Sequence, residues 1–464
     1  MTSICCMCLL SKQEANAQKD EYYENEHNET INEEVEDAVS VEEQDQQLHE
    51  SSTCGVHYSM IQNILSSLSE EVMNTATTAD IIRDVVKTNS KLSEAKVSWH
   101  DLLKSEDAHD ESETPLYGKA NAFISHTWRY RFKDTAESVI KYAQDFEQET
   151  GRQCYIWMDM FLLNQFSTDS FDPNWLKETF TNVIKDINNT VVIMAPFESP
   201  ASVKRVWCLW ELYLSIQYSK LNIVLPPEQS IRFNDALLKD PYSVTEMYTQ
   251  IGQIRAEEAE AFDPNDKDMI FAIIKDTIGF KTLNSIVIST IKEWIEDQCQ
   301  LKLDAINNGQ IDAEEALAAP TKYQGSGSTL FRAITVGSVG LTKLSLLHPD
   351  VKYVINGTND SWPPFANALT MGLCDIVDLI MEHPSFNFEN THWQIDAYMI
   401  KEKSGHRYHP DFDISVPHER VEQTLRKYFE KRYKAGFEDF LDYEDFVQKS
   451  KNGKLKEQYP AWAY

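Results

Sequence analysis

The chain has 464 residues, which at roughly 100–200 residues per domain predicts several domains. Its 43 Lys and Arg against 74 Asp and Glu leave a net charge of −31. That balance argues against a nucleic-acid binder and against electrostatic docking on anionic lipid, because both need a basic face. Hydrophobic residues make up 42% of the chain, enough to bury a core, and no apolar run approaches the roughly 18 residues of a membrane span.

Residues 1–52 hold 14 acidic residues against Lys12 and Lys19, a composition that predicts a disordered acidic tail. Cys5, Cys6 and Cys8 stand at its head. S-acylation there would tether the chain to a membrane, two acyl chains holding stably where one does not. The alternative is an uncommitted tail, since the acidic stretch behind it is repelled by an anionic leaflet. Thr2 excludes N-myristoylation, and the apolar run is too short for a signal-peptide core. Cys54, Cys154, Cys208, Cys299 and Cys374 are scattered without metal-ligand spacing, which fits a reducing, cytoplasmic location.

Residues 53–118 read as a helical segment and linker. Met60, Ile61, Ile64, Leu65 and Leu68 recur at helical spacing, Thr78 and Asp80 are candidate caps before Ile81–Val86, and Ser105–Thr114 is polar. Residues 119–235 alternate strand and helix. The runs Ala120–Ser125, Cys154–Met158, Thr190–Met194 and Leu221–Leu225 are strand-like. Between them lie the helical stretches Asp134–Phe146, Trp175–Ile187 and Val206–Ile216. Fully apolar strands alternating with helices predict an α/β fold with a parallel sheet covered on both faces. Ligands in such folds sit beyond the carboxyl ends of the strands, which directs attention to Ser125–Arg131, Asp159–Gln165 and Ala195 onward.

Residues 236–323 form a helical extension, with Met269, Ile270, Ile273, Ile274 and Ile278 on one apolar face and Leu283, Ile286, Val287 and Ile291 on another. Asp304–Glu315 imitates calcium-loop spacing, but Ile306 cannot ligate at its third position, so a helix-terminating turn is the reading. Gln324–Ser328 is a flexible linker, with no Lys at the spacing of a phosphate loop. Beyond it Ala333, Gly337, Leu344, His348 and Pro349 recur 35 residues later as Ala368, Gly372, Leu379, His383 and Pro384. That period matches helix-turn-helix solenoids of the ankyrin type, so 324–392 reads as two such repeats, with flanking helices as caps. Trp362-Pro363-Pro364-Phe365 loosely imitates the ankyrin turn motif. Residues 393–464 close the chain as a helical segment carrying Phe429, Tyr433, Phe437, Phe440 and Phe446.

Phe123-Ile124-Ser125-His126 and Trp207-Cys208-Leu209-Trp210-Glu211-Leu212, about 80 residues apart inside this alternation, resemble the TIR (Toll/interleukin-1 receptor) domain superfamily. The Phe123–His126 motif is similar to the opening strand and loop of that family. The Trp207–Leu212 motif is similar to its W-C-x-x-E-L helix start. Tyr155-Ile156-Trp157-Met158-Asp159 sits where the family's next strand falls. The likeness covers roughly 119–225 and is nearest a divergent subgroup found in multidomain proteins of protists and algae. There a segment such as Thr77–Asp80 and a helical C-terminal extension also accompany the domain. One departure is the loop after Asp159, Met160–Gln165, which lacks the Gly seen in many relatives.

The resemblance implies a flavodoxin-like parallel sheet and a signalling or scaffold protein. Its TIR-like and ankyrin-like surfaces would bind proteins, including a second copy of the chain. Many TIR domains also cleave NAD⁺ with the Glu of this helix, here Glu211. The alternative function is therefore an NAD⁺ glycohydrolase with NAD⁺ as substrate and no resident cofactor or metal. A carboxylate beside the scissile bond stabilises an oxocarbenium-like state. Trp207 shares the helix face of Glu211 at i, i+4 and could pack on sugar or base. The implied pocket also takes in Ser125, His126, Trp128, Arg129 and Asp159. Each has a structural alternative. Glu211 can favour the helix dipole, Trp207 can be core, and His126 can be a satisfied interior histidine. Arg129, with Arg131 and Lys133, can be a solvated basic face, and Asp159 can cap the next turn. Cys208 reads as a buried structural thiol. Residues 119–225 hold 11 basic and 12 acidic side chains, so the net charge of the chain does not bar an anionic dinucleotide from this region.

Overall fold

Among the described residues six short strands build one mixed sheet: β1 (Cys54–His57), β2 (Tyr117–Lys119), β3 (Ala122–Ser125), β4 (Tyr155–Trp157), β5 (Asn189–Ile193) and β6 (Lys220–Val224). The computed structural model describes residues 53–166, 173–261, 264–319, 328–357, 363–389, 418–437 and 442–451. The expectations for the tail with Cys5, Cys6 and Cys8, for positions 324–327, for Trp362 and for Phe440 lie outside the described residues.

The sheet order is β2-β1-β4-β3-β5-β6. β3 runs parallel to β4 and β5, and β5 to β6, as the apolar runs predict. The sheet is nevertheless not parallel throughout. β1 lies antiparallel between β2 and β4, with Val56 opposite both Tyr117 and Ile156. The segment read as helix and linker thus gives an edge strand, β2, and the strand inside it, β1, as well as helices. Close approach explains their composition. A Cβ on Gly55 would lie 2.9 Å from Ala120 Cβ, and one on Gly118 2.8 Å from the Tyr155 ring.

Successive residues of the strands point to opposite faces. Ala122, Ile124, Ile156, Val191 and Ile193 face a core shared with Ile61 and Ile64 of α1 (Ser59–Ser67) and Ala136, Val139 and Ala143 of α2 (Phe132–Thr150). Phe123, Trp157 and Val192 face the other core. It is shared with Phe180, Val183 and Ile184 of α3 (Pro173–Ile187) and Leu209 and Leu212 of α4 (Val206–Tyr218). Phe123 stacks on Trp157 with ring centroids 5.1 Å apart.

This latter core continues past the sheet. Val244, Met247 and Ile251 of α5 (Pro241–Gly252) join it. So does the buried row Leu283, Val287, Ile291, Ile295, Cys299 and Leu303 of α6 (Phe280–Asn307), spaced every four residues. After α6, Gly309 takes a left-handed φ of 71° and Asp312 spends its carboxylate capping Glu314 and Glu315.

The internal repeat is two helical hairpins, α7 (Thr329–Thr335) with α8 (Val339–Leu347) and α9 (Pro364–Thr370) with α10 (Cys374–Glu382). Each helix of the later hairpin begins and ends 35 residues after its counterpart. Gly337 and Gly372 turn the chain at φ 72° and 70°, a conformation that costs other residues. His348 and His383 each accept a backbone N–H two residues on, from Asp350 and Ser385. A third core closes under α11 (His418–Lys434), which contributes Leu425, Tyr428 and Phe429.

Glu296 of α6 fastens the first hairpin to the helical extension. Its carboxylate accepts Ser338 Oγ and Gly340 N at 2.6 Å each, and the Tyr248 hydroxyl. Gly340 is required there, since a Cβ would stand 2.5 Å from Cys299 Cβ. Among the described residues no helix is long and apolar enough to cross a membrane.

Candidate functional site

The loop after β3 is built before any ligand could meet it. Thr77 begins a capping box with Asp80: Thr77 Oγ1 accepts Asp80 N at 3.2 Å and Asp80 Oδ2 accepts Thr77 N at 2.9 Å. The cap is therefore one residue earlier than Thr78, whose side chain is buried. From that box, Thr78 N and Ala79 N donate to Tyr130 O and Trp128 O. The Tyr130 hydroxyl accepts Ala195 N at 3.0 Å and Ser202 N at 3.2 Å, joining the loops that follow β3 and β5. Burial pushes the Tyr130 hydroxyl up to about 12, so it stays protonated.

Ser125 ends β3 fully buried, and its Oγ donates to Glu211 Oε2 at 2.6 Å. Glu211 lies in the second turn of α4 and is 7% exposed. Burial pushes its carboxyl up to about 8. The Ser125 hydrogen bond opposes that rise and the charge of Asp159 adds to it. Glu211 therefore holds a proton at neutral pH in this closed arrangement. Such a group can give or take a proton near pH 7 and can stabilise developing positive charge once ionised.

The other expected residues surround this pair. His126 is buried, its Nε2 lies 3.9 Å from Asp159 Oδ1, and that nitrogen has no hydrogen-bond partner. Burial lowers its basicity, with Asp159 and a backbone hydrogen bond to Ile124 pulling the other way. Cys208 Sγ donates to His126 O at 3.3 Å, and burial holds the thiol well above its ordinary range. Asp159 serves the protein with both oxygens: Oδ2 accepts the Trp128 indole N–H and Oδ1 accepts Met160 N, each at 2.7 Å.

Trp207 and Glu211 diverge despite their i, i+4 spacing. Trp207 packs on Phe180, centroids 5.3 Å apart, whereas Glu211 turns to Ser125. The basic cluster is fully paired. Arg129 meets Glu260 at 2.7 Å, Arg131 meets Asp134 at 2.6 Å and Lys133 meets Glu137 at 3.8 Å. The partner Glu260 carried no local sequence signal, and Tyr130 was not among the expected site residues.

A cavity of about 610 Å³ lies at the opposite end of the sheet, lined by Asn121, Tyr142, Asn189, Lys220 and Asn222 among others. None of Ser125, His126, Asp159 or Glu211 lines it. Its three asparagines are bonded to one another. Asn189 Nδ2 donates to Asn121 O at 2.6 Å, and Asn222 Nδ2 to Asn189 Oδ1 at 2.9 Å. Among the described residues no group of three or more His, Cys, Asp or Glu could hold a metal ion. No family model matches this chain, and neither a curated protein nor a solved structure matches it.

Proposed function

We propose that the chain is a signalling and scaffold protein built on a TIR-like domain of flavodoxin-like strand order, whose Ser125–Glu211 cleft cleaves NAD⁺. The observation that carries this reading is the buried Glu211 carboxyl held 2.6 Å from Ser125 Oγ at the carboxyl end of β3. Within the parallel strands the spatial order β4-β3-β5-β6 changes direction at β3 and β5, which is where doubly wound sheets place ligands. In the reaction the bond between ribose C1′ and the nicotinamide nitrogen breaks and water adds to C1′. The products are nicotinamide, ADP-ribose and a proton. Ionised Glu211 would stabilise the cationic sugar, and Ser125 would orient the carboxylate. The helical hairpins, read as ankyrin-like, would supply a separate protein-binding surface.

The test is nicotinamide release from NAD⁺ by the purified full chain, alone and clustered. Wild type should release nicotinamide and Glu211→Gln should lose at least about 100-fold in rate. Full release by Glu211→Gln, or none from wild type even when clustered, overturns the catalytic assignment. An alternative reading, a non-catalytic adapter, is favoured by the closure of the cleft, in which Glu211 is both buried and protonated. It expects protein binding with no turnover.

A further inference from the structure

Glu260 joins three parts of the molecule at one residue. Its backbone N donates to Lys204 O at 2.9 Å and its carbonyl accepts Val206 N at 3.0 Å, forming a parallel bridge with Arg205. Its carboxylate pairs with Arg129 at 2.7 Å. Val206 N is one of the donors at the start of α4 that have no acceptor within the helix, and no side chain caps that helix start, so the Glu260 carbonyl takes that place. Arg129 follows Ser125 by four residues and Val206 precedes Glu211 by five. Glu260 therefore bridges the two elements whose side chains meet in the candidate cleft.

The segment that carries Glu260 is thin. Between Arg255 and Glu260 only Ala256 and Ala259 are buried, while Glu257, Glu258 and Glu260 stand in solvent. Its far side is tied to α6, where Ala256 N donates to Asn284 Oδ1 at 2.8 Å and Asn284 Nδ2 to Glu257 Oε2 at 2.9 Å. Few buried apolar contacts place a segment at the low end of local stability, whereas the sheet and α4 that it bridges are deeply packed.

We propose that residues Arg255–Glu260 form an inhibitory strap that closes the Ser125–Glu211 cleft, with Glu260 as the latch. The proposal rests on the reading of that cleft as the functional site and adds how it is controlled. The strap occupies with its own carbonyl the helix start, and with its own carboxylate the arginine, that an anionic ligand would otherwise meet. The same loop that carries Arg129 holds buried His126, whose unpartnered Nε2 lies 3.9 Å from Asp159 Oδ1. Release of the strap frees Arg129 and the Val206 amide together and lets water and ligand reach Glu211. Because α6 holds both the strap, through Asn284, and the first helical hairpin, through Glu296, a partner that shifts that hairpin has a direct mechanical route to the latch.

The test reads opening without relying on turnover. Cys208 is buried in the cleft, so its alkylation by N-ethylmaleimide in the full chain, followed by mass spectrometry, reports access. Hydrogen exchange at the Val206 amide reports the latch. Glu260→Lys sets a cation against Arg129 and should speed both by about three- to ten-fold, somewhat above the effect of deleting an exposed ion pair. Glu260→Pro, which removes the N–H given to Lys204, should speed them further. The paired swap Arg129→Glu with Glu260→Arg should return both to within about two-fold of wild type. Glu258→Lys, on the same segment but facing Arg255, should change neither. Labelling of Cys208 as slow in Glu260→Lys and Glu260→Pro as in wild type overturns the strap. Faster labelling with no nicotinamide release from any form leaves the strap standing and removes the catalytic reading.

Discussion

Glu211→Gln separates the cost of burying an acid from the shape of the side chain. The carboxyl moves from an ordinary value of 4.5 to about 8 through burial. At about 1.4 kcal/mol per unit that difference amounts to about 5 kcal/mol. Its sign follows from proton counting. Between pH 4.5 and about 8 the folded chain holds a proton that the unfolded chain has released, so stability falls as pH rises through this window. Gln carries no proton and accepts the same hydrogen bond from Ser125, so its curve lacks this slope. Urea unfolding of both proteins at pH 5, 6, 7 and 8 should therefore show near-equal stability at pH 5. A gap in favour of Gln should then widen by about 1.4 kcal/mol per pH unit toward pH 8. Lifting the strap sets a ceiling, because the carboxyl will hydrate locally once opening costs less than holding the charge dry. Parallel curves, with no widening gap between pH 5 and 8, would refute the claim that Glu211 is buried as a neutral acid.

Trp128→Phe keeps an aromatic ring but removes the N–H given to Asp159 Oδ2. It should cost about 1–3 kcal/mol in urea unfolding at pH 7, and a loss below about 0.3 kcal/mol would show that this contact does not hold the loop. Gly340→Ala tests the packing of α6 on α8. Helix propensity alone would stabilise by about 1 kcal/mol, but a Cβ 2.5 Å from Cys299 Cβ should turn the net effect into a loss of about 1–3 kcal/mol. A stability gain by thermal unfolding would sink the close-packed interface.

β3 and β5 were legible because they are buried on both faces, whereas the parallel β6 is only half-buried and was found from its apolar run alone. Ala122–Ser125 and Thr190–Ile193 are buried at every position, and a run that must be dry on both sides is apolar but for an occasional small hydroxyl such as Ser125 or Thr190. β1 and β2 left no such mark. They are three or four residues long and each contains a glycine chosen for space against a neighbour far along the chain, so neither alternation nor β-branching announces them. The repeat was legible because Gly337, Gly372, His348 and His383 do the same backbone work twice. At the candidate site, the residues on either side of the Ser125–Glu211 contact could be found from motifs, but the contact spans 86 positions and its dryness depends on the whole fold. Glu260 and Glu296 resemble ordinary acids of a helical connector. Their roles come from what packs opposite, Arg129 with the start of α4 in one case and the start of α8 in the other.

The position of β1 bears on how the chain is made. β1 leaves the ribosome before either strand that flanks it, yet it pairs with β2 some 60 residues later and with β4 about 100 residues later. Until both have been synthesised, Val56 and the apolar face of α1 have no sheet to join. Non-local pairing of this kind slows folding and prolongs exposure of sticky surface. A nascent chain stalled before residue 155 therefore leaves these side chains uncovered, and synonymous changes that slow translation between β2 and β4 should lower the soluble yield without altering the finished protein.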